Sequence, residues 1–486
     1  MKRGVRTRIV WMAGWLAVAT AASAAPPTRG EFQVNAITAG DQAYPAACVD
    51  RQGRATVVWE SRGEDGAGNA VITNRFDRDD APLGGEVIVN ATTAGDQQAP
   101  AVACTPDGAY VVVWEGRGQD GDDFGVAARR FDAGGAPQGG ELAVNTHTAG
   151  RQRAAATCYD AAGNFVVAWQ SDGQDGDGYG VFAQRFAADG ARRGDELAIN
   201  QTTAASQSHP ALACAPGGEF VVVWQSREQD GDGEGIYARR IGADAVAGDE
   251  TRVNAVTTGN QQHPAVAALP GGGFVVVWES RDGQDGDGAG VFARRLGDDG
   301  QPAGDERSIA AVTAFHQEQP AVAATRNGFL AAWSSYSDGD DVGVFARRFD
   351  AAGQPLSGEF PVNTTIAGVQ GALSDEPHPI AVAAGVAGDL LLAWHSTRLR
   401  GTAQDGDGFG VFARSAALAP GCPGDCSGDG AVMIDELLVG VGLALRGDGV
   451  SACVAVDTDG DAHVSVAELI AAVAAALNGC PPNPEA

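Results

Sequence analysis

The 486-residue chain carries 33 basic against 62 acidic side chains, a formal net charge of −29. Nucleic acid and anionic membrane surfaces are poor partners for that charge, which leaves cations and neutral molecules as the better ones. The length provides for one large array plus a small domain.

Residues 1–24 read as a secretory signal. Lys2, Arg3, Arg6 and Arg8 form a basic start, Ile9–Ala19 is apolar, and Ala22-Ser23-Ala24 fits a small-residue cleavage site. The apolar run is short for a membrane span and no later segment reaches spanning length, so no membrane span is expected. The expected destination is secreted or cell surface, where disulfides are allowed.

Residues 25–415 are dominated by one repeat. A tryptophan recurs at Trp59, Trp114, Trp169, Trp224, Trp278, Trp333 and Trp394, in steps of 54 to 61 residues. Each unit has four short apolar runs, as in Pro264–Ala268, Phe274–Ser280, Gly290–Leu296 and Glu306–Ile309. The second run, Phe-Val-Val-Val-Trp, is apolar on both faces, as in a strand buried on both sides. Turns such as Pro106-Asp-Gly108 carry hairpin chemistry. Four strands per unit of this size predict an all-β propeller of seven blades. Because the chain starts on an outer-type strand, Glu31–Asn35, and ends on a third-type strand, Gly410–Arg414, these two are expected to pair and close the ring.

Residues shared by the blades receive structural readings. Gln42, Gln97, Gln152, Gln207, Gln261, Gln317 and Gln370 recur in every crossing loop and are expected to bond loop backbone. Cys48, Cys104, Cys158 and Cys214 alternate with Ala268 and Ala324, and are expected to be free buried thiols. Arg pairs such as Arg129–Arg130 and Arg294–Arg295 are expected to pair with acids such as Glu115 and Glu279 or with loop aspartates. Acidic loops, Asp120-Gly-Asp122 being one, would form a carboxylate crown on one rim. Such a crown offers oxygens to calcium, but Asp-Gly is also ordinary hairpin chemistry. Stacking of sugars on the tryptophans is disfavoured, since each lies inside a buried run. Blade seven departs in its loops Thr364–His378 and Ser396–Gly408, the latter with Arg398 and Arg400. Extra loop length there fits either a site or slack at the closure.

After a linker at 416–421 the pattern becomes helical over 422–481, with 482–486 as a tail. Asp425, Ser427, Asp429, Ala431 and Glu436 fit positions 1, 3, 5, 7 and 12 of a calcium loop with Gly430 at position 6. Asp457, Asp459, Asp461, His463, Ser465 and Glu468 fit a second loop, with Ala462 in place of the usual Gly. Ala431 and His463 would act through their carbonyls. Each loop feeds an apolar stripe, Ile434, Leu437, Leu438, Val441, Leu445 and Val466, Leu469, Ile470, Val473, Leu477, and the stripes are expected to bury on each other. Ca2+ is the expected cofactor. Cys422, Cys426, Cys453 and Cys480 allow three pairings, of which Cys422–Cys480 with Cys426–Cys453 is preferred.

This duplicated loop–helix unit resembles a dockerin, although Glu436 and Glu468 stand where dockerins usually have Asp. The resemblance implies a small α-helical EF-hand-like pair that docks on a cohesin-like or cell-surface protein. The blade repeats are similar to tandem repeats of large secreted bacterial proteins. The leading functional reading is a secreted, non-catalytic binding or display protein with a glycan or protein ligand on the propeller. The alternative is a polysaccharide-degrading enzyme of glycoside hydrolase type tethered through the dockerin-like module. A third reading is a structural cell-surface protein stiffened by calcium. The near-uniform blades argue against a catalytic carboxylate pair, which would give one blade acids that its sisters lack.

Overall fold

A computed structural model describes residues 29–337, 342–366, 368–371, 379–385, 388–397, 404–417, 432, 434–446 and 464–478. The segment expected to be a secretory signal, most of the expected linker, the tail and the four C-terminal cysteines lie outside the described residues.

The chain forms a seven-bladed β-propeller. Blade one runs Gln42–Val49, Ala55–Arg62, Asn69–Phe76 and Val87–Ile88, each strand antiparallel to the next. Five further four-stranded sheets repeat that order. The seventh combines Val369–Gln370, Ile380–Ala384, Asp389–Thr397 and Gly410–Ala417 with Phe32–Gln33 from the chain start. The expected closure is present: Phe32 pairs with Ala413 and Gln33 with Phe412. It hides a sheet edge that would otherwise be open to another chain.

Packing between blades explains the sequence pattern. All seven repeat tryptophans are fully buried, so none of them presents a face to a sugar. Val111, Val113 and Val126 of blade two pack with Phe165, Val167 and Trp169 of blade three in one cluster, so the second strand must be apolar on both faces. Burial of each such side chain contributes about 1.5–3 kcal/mol.

A polar network then ties blade to blade, and the recurring Gln is its hub. Gln207 is fully buried; its Nε2 donates to Ala204 O at 2.9 Å and its Oε1 accepts from Asn200 Nδ2 at 3.1 Å. Asn200 also donates to Asp175 Oδ2 at 2.7 Å, and its Oδ1 accepts from Val181 N at 2.8 Å. Thus the first aspartate of the acidic loop is a latch for the crossing loop. The second, Asp177, accepts from Ala205 N at 3.0 Å. The outer-strand glutamates complete the lock: Glu141 accepts from Ala91 N at 2.5 Å, and Glu31 accepts from Thr364 N at 2.6 Å across the closure. Asp338-Gly-Asp340 lies outside the described residues. Among the described residues no cluster of three or more metal-ligating side chains occurs.

Two expectations are corrected. The inner-strand cysteines are bridged, Cys48 to Cys104 and Cys158 to Cys214, joining blade one to two and three to four. The two cysteines of each bridge are one register step apart, Cys158 opposite Val166 and Cys214 opposite Phe220, so they leave opposite strand faces toward each other with Cα atoms 5.7 and 5.6 Å apart, inside the range a disulfide spans. The arginine pairs do not answer acids. Arg129 donates to Val89 O at 2.7 Å, Arg130 to Ala188 O at 2.7 Å, and Arg294 to Val253 O at 2.8 Å. They cap strand-end carbonyls of neighbouring blades, which a sheet leaves without partners.

The C-terminal segment has two helices, α1 (Ile434–Arg446) and α2 (Val466–Asn478). The expected stripes are largely not the contact. Leu443 and Ala472 form its buried centre with Leu437 and Leu469 against them, while Ile434, Leu438, Leu445, Val466, Ile470 and Leu477 stay exposed. Alanines at Ala472 and Ala475 allow the shorter approach.

Candidate functional site at the axial mouth

The inner strands enclose a channel of about 230 Å³ walled by Pro45, Ala101, Ala155, Ala211, Ala265 and Ala321. Small residues are needed there because seven strands crowd one axis. At the mouth, on the face of the crossing loops, every inner strand of blades one to six carries a β-bulge. Its apex residue has positive φ: Tyr44, Ala99, Ala154, His209, His263 and Gln319. Five of the six precede a proline, which disfavours the right-handed helical conformation.

The strain is offset by a hydrogen bond to the preceding blade. Ala99 N donates to Glu60, Ala154 N to Glu115, His209 N to Gln170, His263 N to Gln225 and Gln319 N to Glu279, at 2.7–3.1 Å. The acceptor is always the residue after the buried tryptophan. Carboxylate and amide serve equally, which explains why Glu and Gln alternate there. At the closure, Tyr44 N points at His395 Nδ1 at 3.4 Å.

Three columns of the repeat therefore meet at the mouth: the bulge apex, the residue before it, and the residue after the tryptophan. All three columns change from blade to blade. Blades four to six depart furthest. The rings of His209 and His263 meet edge to face at 5.6 Å. Glu279 is fully buried; Oε2 lies 3.2 Å from His263 Nδ1 and Oε1 accepts from Arg281 Nε at 2.6 Å. Burial alone would raise the Glu279 carboxyl, but the hydrogen bonds and charges of His263 and Arg281 outweigh it and hold the pKa below the ordinary value. Glu318 beside it moves the other way, raised by burial and by the negative charge of Glu279. His316 Nδ1 lies 3.8 Å from Glu318 Oε1, its ring meets that of Tyr336 with centroids 5.6 Å apart, and Phe315 before it is exposed on the crossing loop, its N donating to Asp287 Oδ2 at 3.1 Å. Elsewhere on the mouth, burial raises Glu115 against the pull of Arg153, whose Nε is 2.9 Å away.

None of these mouth residues was singled out from the sequence as a site. A usable signal was present: aligned by the repeat, most columns are constant, and those flanking Gln and Trp are not. Of the expected calcium ligands, Asp425, Ser427, Asp429, Ala431, Asp457, Asp459, Asp461 and His463 lie outside the described residues, and Glu436 falls within α1. Ser465 and Glu468 come together as a capping box at the start of α2. Ser465 N donates to Glu468 Oε2 at 2.8 Å and Glu468 N to Ser465 Oγ at 3.3 Å. Blade-seven loop residues 372–378 and 398–403, including Arg398 and Arg400, lie outside the described residues.

No protein-family model and no curated protein matches the sequence. Among solved structures, the chain is similar to a protein of unknown function from Dyadobacter fermentans, at 12% identity and TM-score 0.48, over 81% of this chain and 99% of that one. It is similar to an alpha-L-arabinanase from Penicillium chrysogenum complexed with arabinobiose, at 15% identity and TM-score 0.44, over 67% and 99%. It is also similar to an alpha-L-arabinofuranosidase from Fusarium graminearum with an iminosugar inhibitor, at 12% identity and TM-score 0.42, over 80% and 98%. Among the described residues no helix is long and apolar enough to cross a membrane.

Proposed function

We propose that the chain is an exported binding protein that takes a carbohydrate at the axial mouth over blades four to six. The observation that carries this reading is the convergence of the variable columns on one mouth in an otherwise repeated ring. The exposed rings of Phe315 and Tyr336, flanking His316 on the crossing loop and at the end of the second strand, would offer a sugar ring an apolar face, and Glu318 and Arg281 would offer hydrogen bonds. Two disulfides and the basic–apolar start of the chain support export. The paired loops at 425–436 and 457–468 would hold calcium and dock the chain to a partner surface.

One observation favours hydrolysis as a second reading: a raised carboxyl, Glu318, beside a lowered one, Glu279, is the arrangement of an acid and its charged counterpart. Binding is preferred because Glu279 is fully buried with both oxygens engaged. A glycan screen on the full chain, read for both retention and released reducing ends, separates them. Binding without product, weakened about tenfold in Glu318→Gln, supports the first reading. Product release abolished by Glu318→Gln replaces it with the second, and neither signal sinks both. Calcium calorimetry on the full chain is expected to find two C-terminal ions, one lost in Asp457→Asn/Asp459→Asn. No uptake would remove the docking module.

A further inference from the structure

The groove between blades five and six holds a second feature, near the loops joining strands three and four and away from the axial mouth. A cleft of about 240 Å³ is lined by Arg295, Arg307 and one carboxylate, Asp305, above Val275, Ile309 and Phe329. The register explains it. Arg307 pairs with Ala293, and Arg295 lies two residues on, so both arginines leave the same face of blade five, toward blade six. In blades two and three the position of Arg307 is filled by Leu142 and Leu197, which pack over the inter-blade core. Here a charge replaces that apolar cover and a cleft opens above Phe329. Blade five also differs in having a seven-residue outer strand, Pro302–Ser308, with a bulge opposite Ala293 and Arg295.

Arg294 beside them is committed, donating to Val253 O at 2.8 Å and Gly304 O at 3.0 Å. Arg295 and Arg307 have no hydrogen bond or ion pair among the described residues, and the Nε of Arg295 is buried without an acceptor. The buried Nε recurs in sister arginines such as Arg130 and Arg240, but only here does the outer strand add a second guanidinium, Arg307, on the same face, and Asp305 makes an ion pair with neither. We propose that this cleft binds a small oxyanion-bearing ligand, a carboxylate sugar or a phosphate, between Arg295 and Arg307. The planar forks suit either oxyanion, and the volume suits a single ring or smaller.

Titration calorimetry on the full chain at low ionic strength tests this with D-galacturonate and inorganic phosphate, glucose serving as the neutral control. Binding of galacturonate alone identifies a carboxylate sugar, of phosphate alone a phosphate, and of both a general oxyanion site. In each case Arg295→Gln/Arg307→Gln is expected to weaken binding at least about tenfold. Arg252→Gln, on the outer strand of blade four, is expected to change nothing, and any glucose heat should be the same in all proteins. Should the double variant misfold by near-ultraviolet circular dichroism, the exposed single change Arg307→Glu decides, since reversing the charge must abolish binding. No anion binding by the unaltered chain, or binding that survives these changes, overturns the proposal.

Discussion

The junction between blades three and four and the junction between five and six are built from the same repeat, yet only the first is complete. At three–four, Asn200 ties Asp175 to Gln207, Leu197 covers the core, and Cys158 is bonded to Cys214. At five–six, Ala310 stands in place of the asparagine, and Gln317 Oε1 and Asp285 Oδ2 find no donor among the described residues. Arg307 stands for the leucine, and by strand register Ala267 and Ala324 stand for the cysteines. Glu359 still holds its crossing loop through Ala311 N at 2.8 Å. The ring thus concentrates its departures at one junction, beside Glu318 on one face and the arginine cleft toward the other. Sequence freed from the task of holding the ring collects where ligand chemistry is proposed.

The largest way to break this contrast is to remove the staple. Reducing Cys158–Cys214, which closes a separation of 56 residues, is expected to cost about 4 kcal/mol in denaturant melts. Ala267→Cys/Ala324→Cys, the pair whose strand register matches Cys158 and Cys214, should then form a third bridge and recover a similar amount; a thiol titration that still finds both free would show that five–six is spaced differently.

Next comes the closure, where the acceptor is an imidazole. Burial pushes His395 down to about 4 from 6.5. The folded state therefore stays neutral while the unfolded chain takes up a proton, so stability is full above pH 6.5 and falls toward pH 4. The expected loss is about 3 kcal/mol, measured as melting temperature against pH. His395→Gln should flatten that slope, and an unchanged slope would assign it to other groups.

Smaller still is the asparagine that links the hub glutamine to the acidic loop. Asn200→Ala strands Val181 N, Asp175 and Gln207, and is expected to cost about 2–3 kcal/mol. The reverse change at five–six, Ala310→Asn, is expected to gain about 1 kcal/mol by supplying the missing donor. A loss instead would mean that the alanine is required by its neighbours.

The fold was readable because a propeller is a repeat of local rules. The tryptophan spacing set the blade number, the Val-Val-Val run set burial on both faces, and the phase of Glu31–Asn35 set the closure. Each depends on neighbours in sequence or on the same register in the next unit. The helical stripes misled, because residues i, i+3 and i+4 define a face and not its partner. In α2 nearly every side is apolar, so the short alanine side could take the contact and leave Ile470 outside.

The sequence by itself determined seven blades, their four strands, the velcro pairing and the buried tryptophans, since hydrophobic period and turn chemistry act over a few residues. Tertiary structure alone decided that Cys158 reaches Cys214, that Arg129 answers a carbonyl and not an acid, and that His263, Glu279 and Glu318 share one mouth. Those facts depend on how closely inner strands converge and which faces meet across a junction. Distances between units, unlike the pattern within one, are fixed only when the ring has closed.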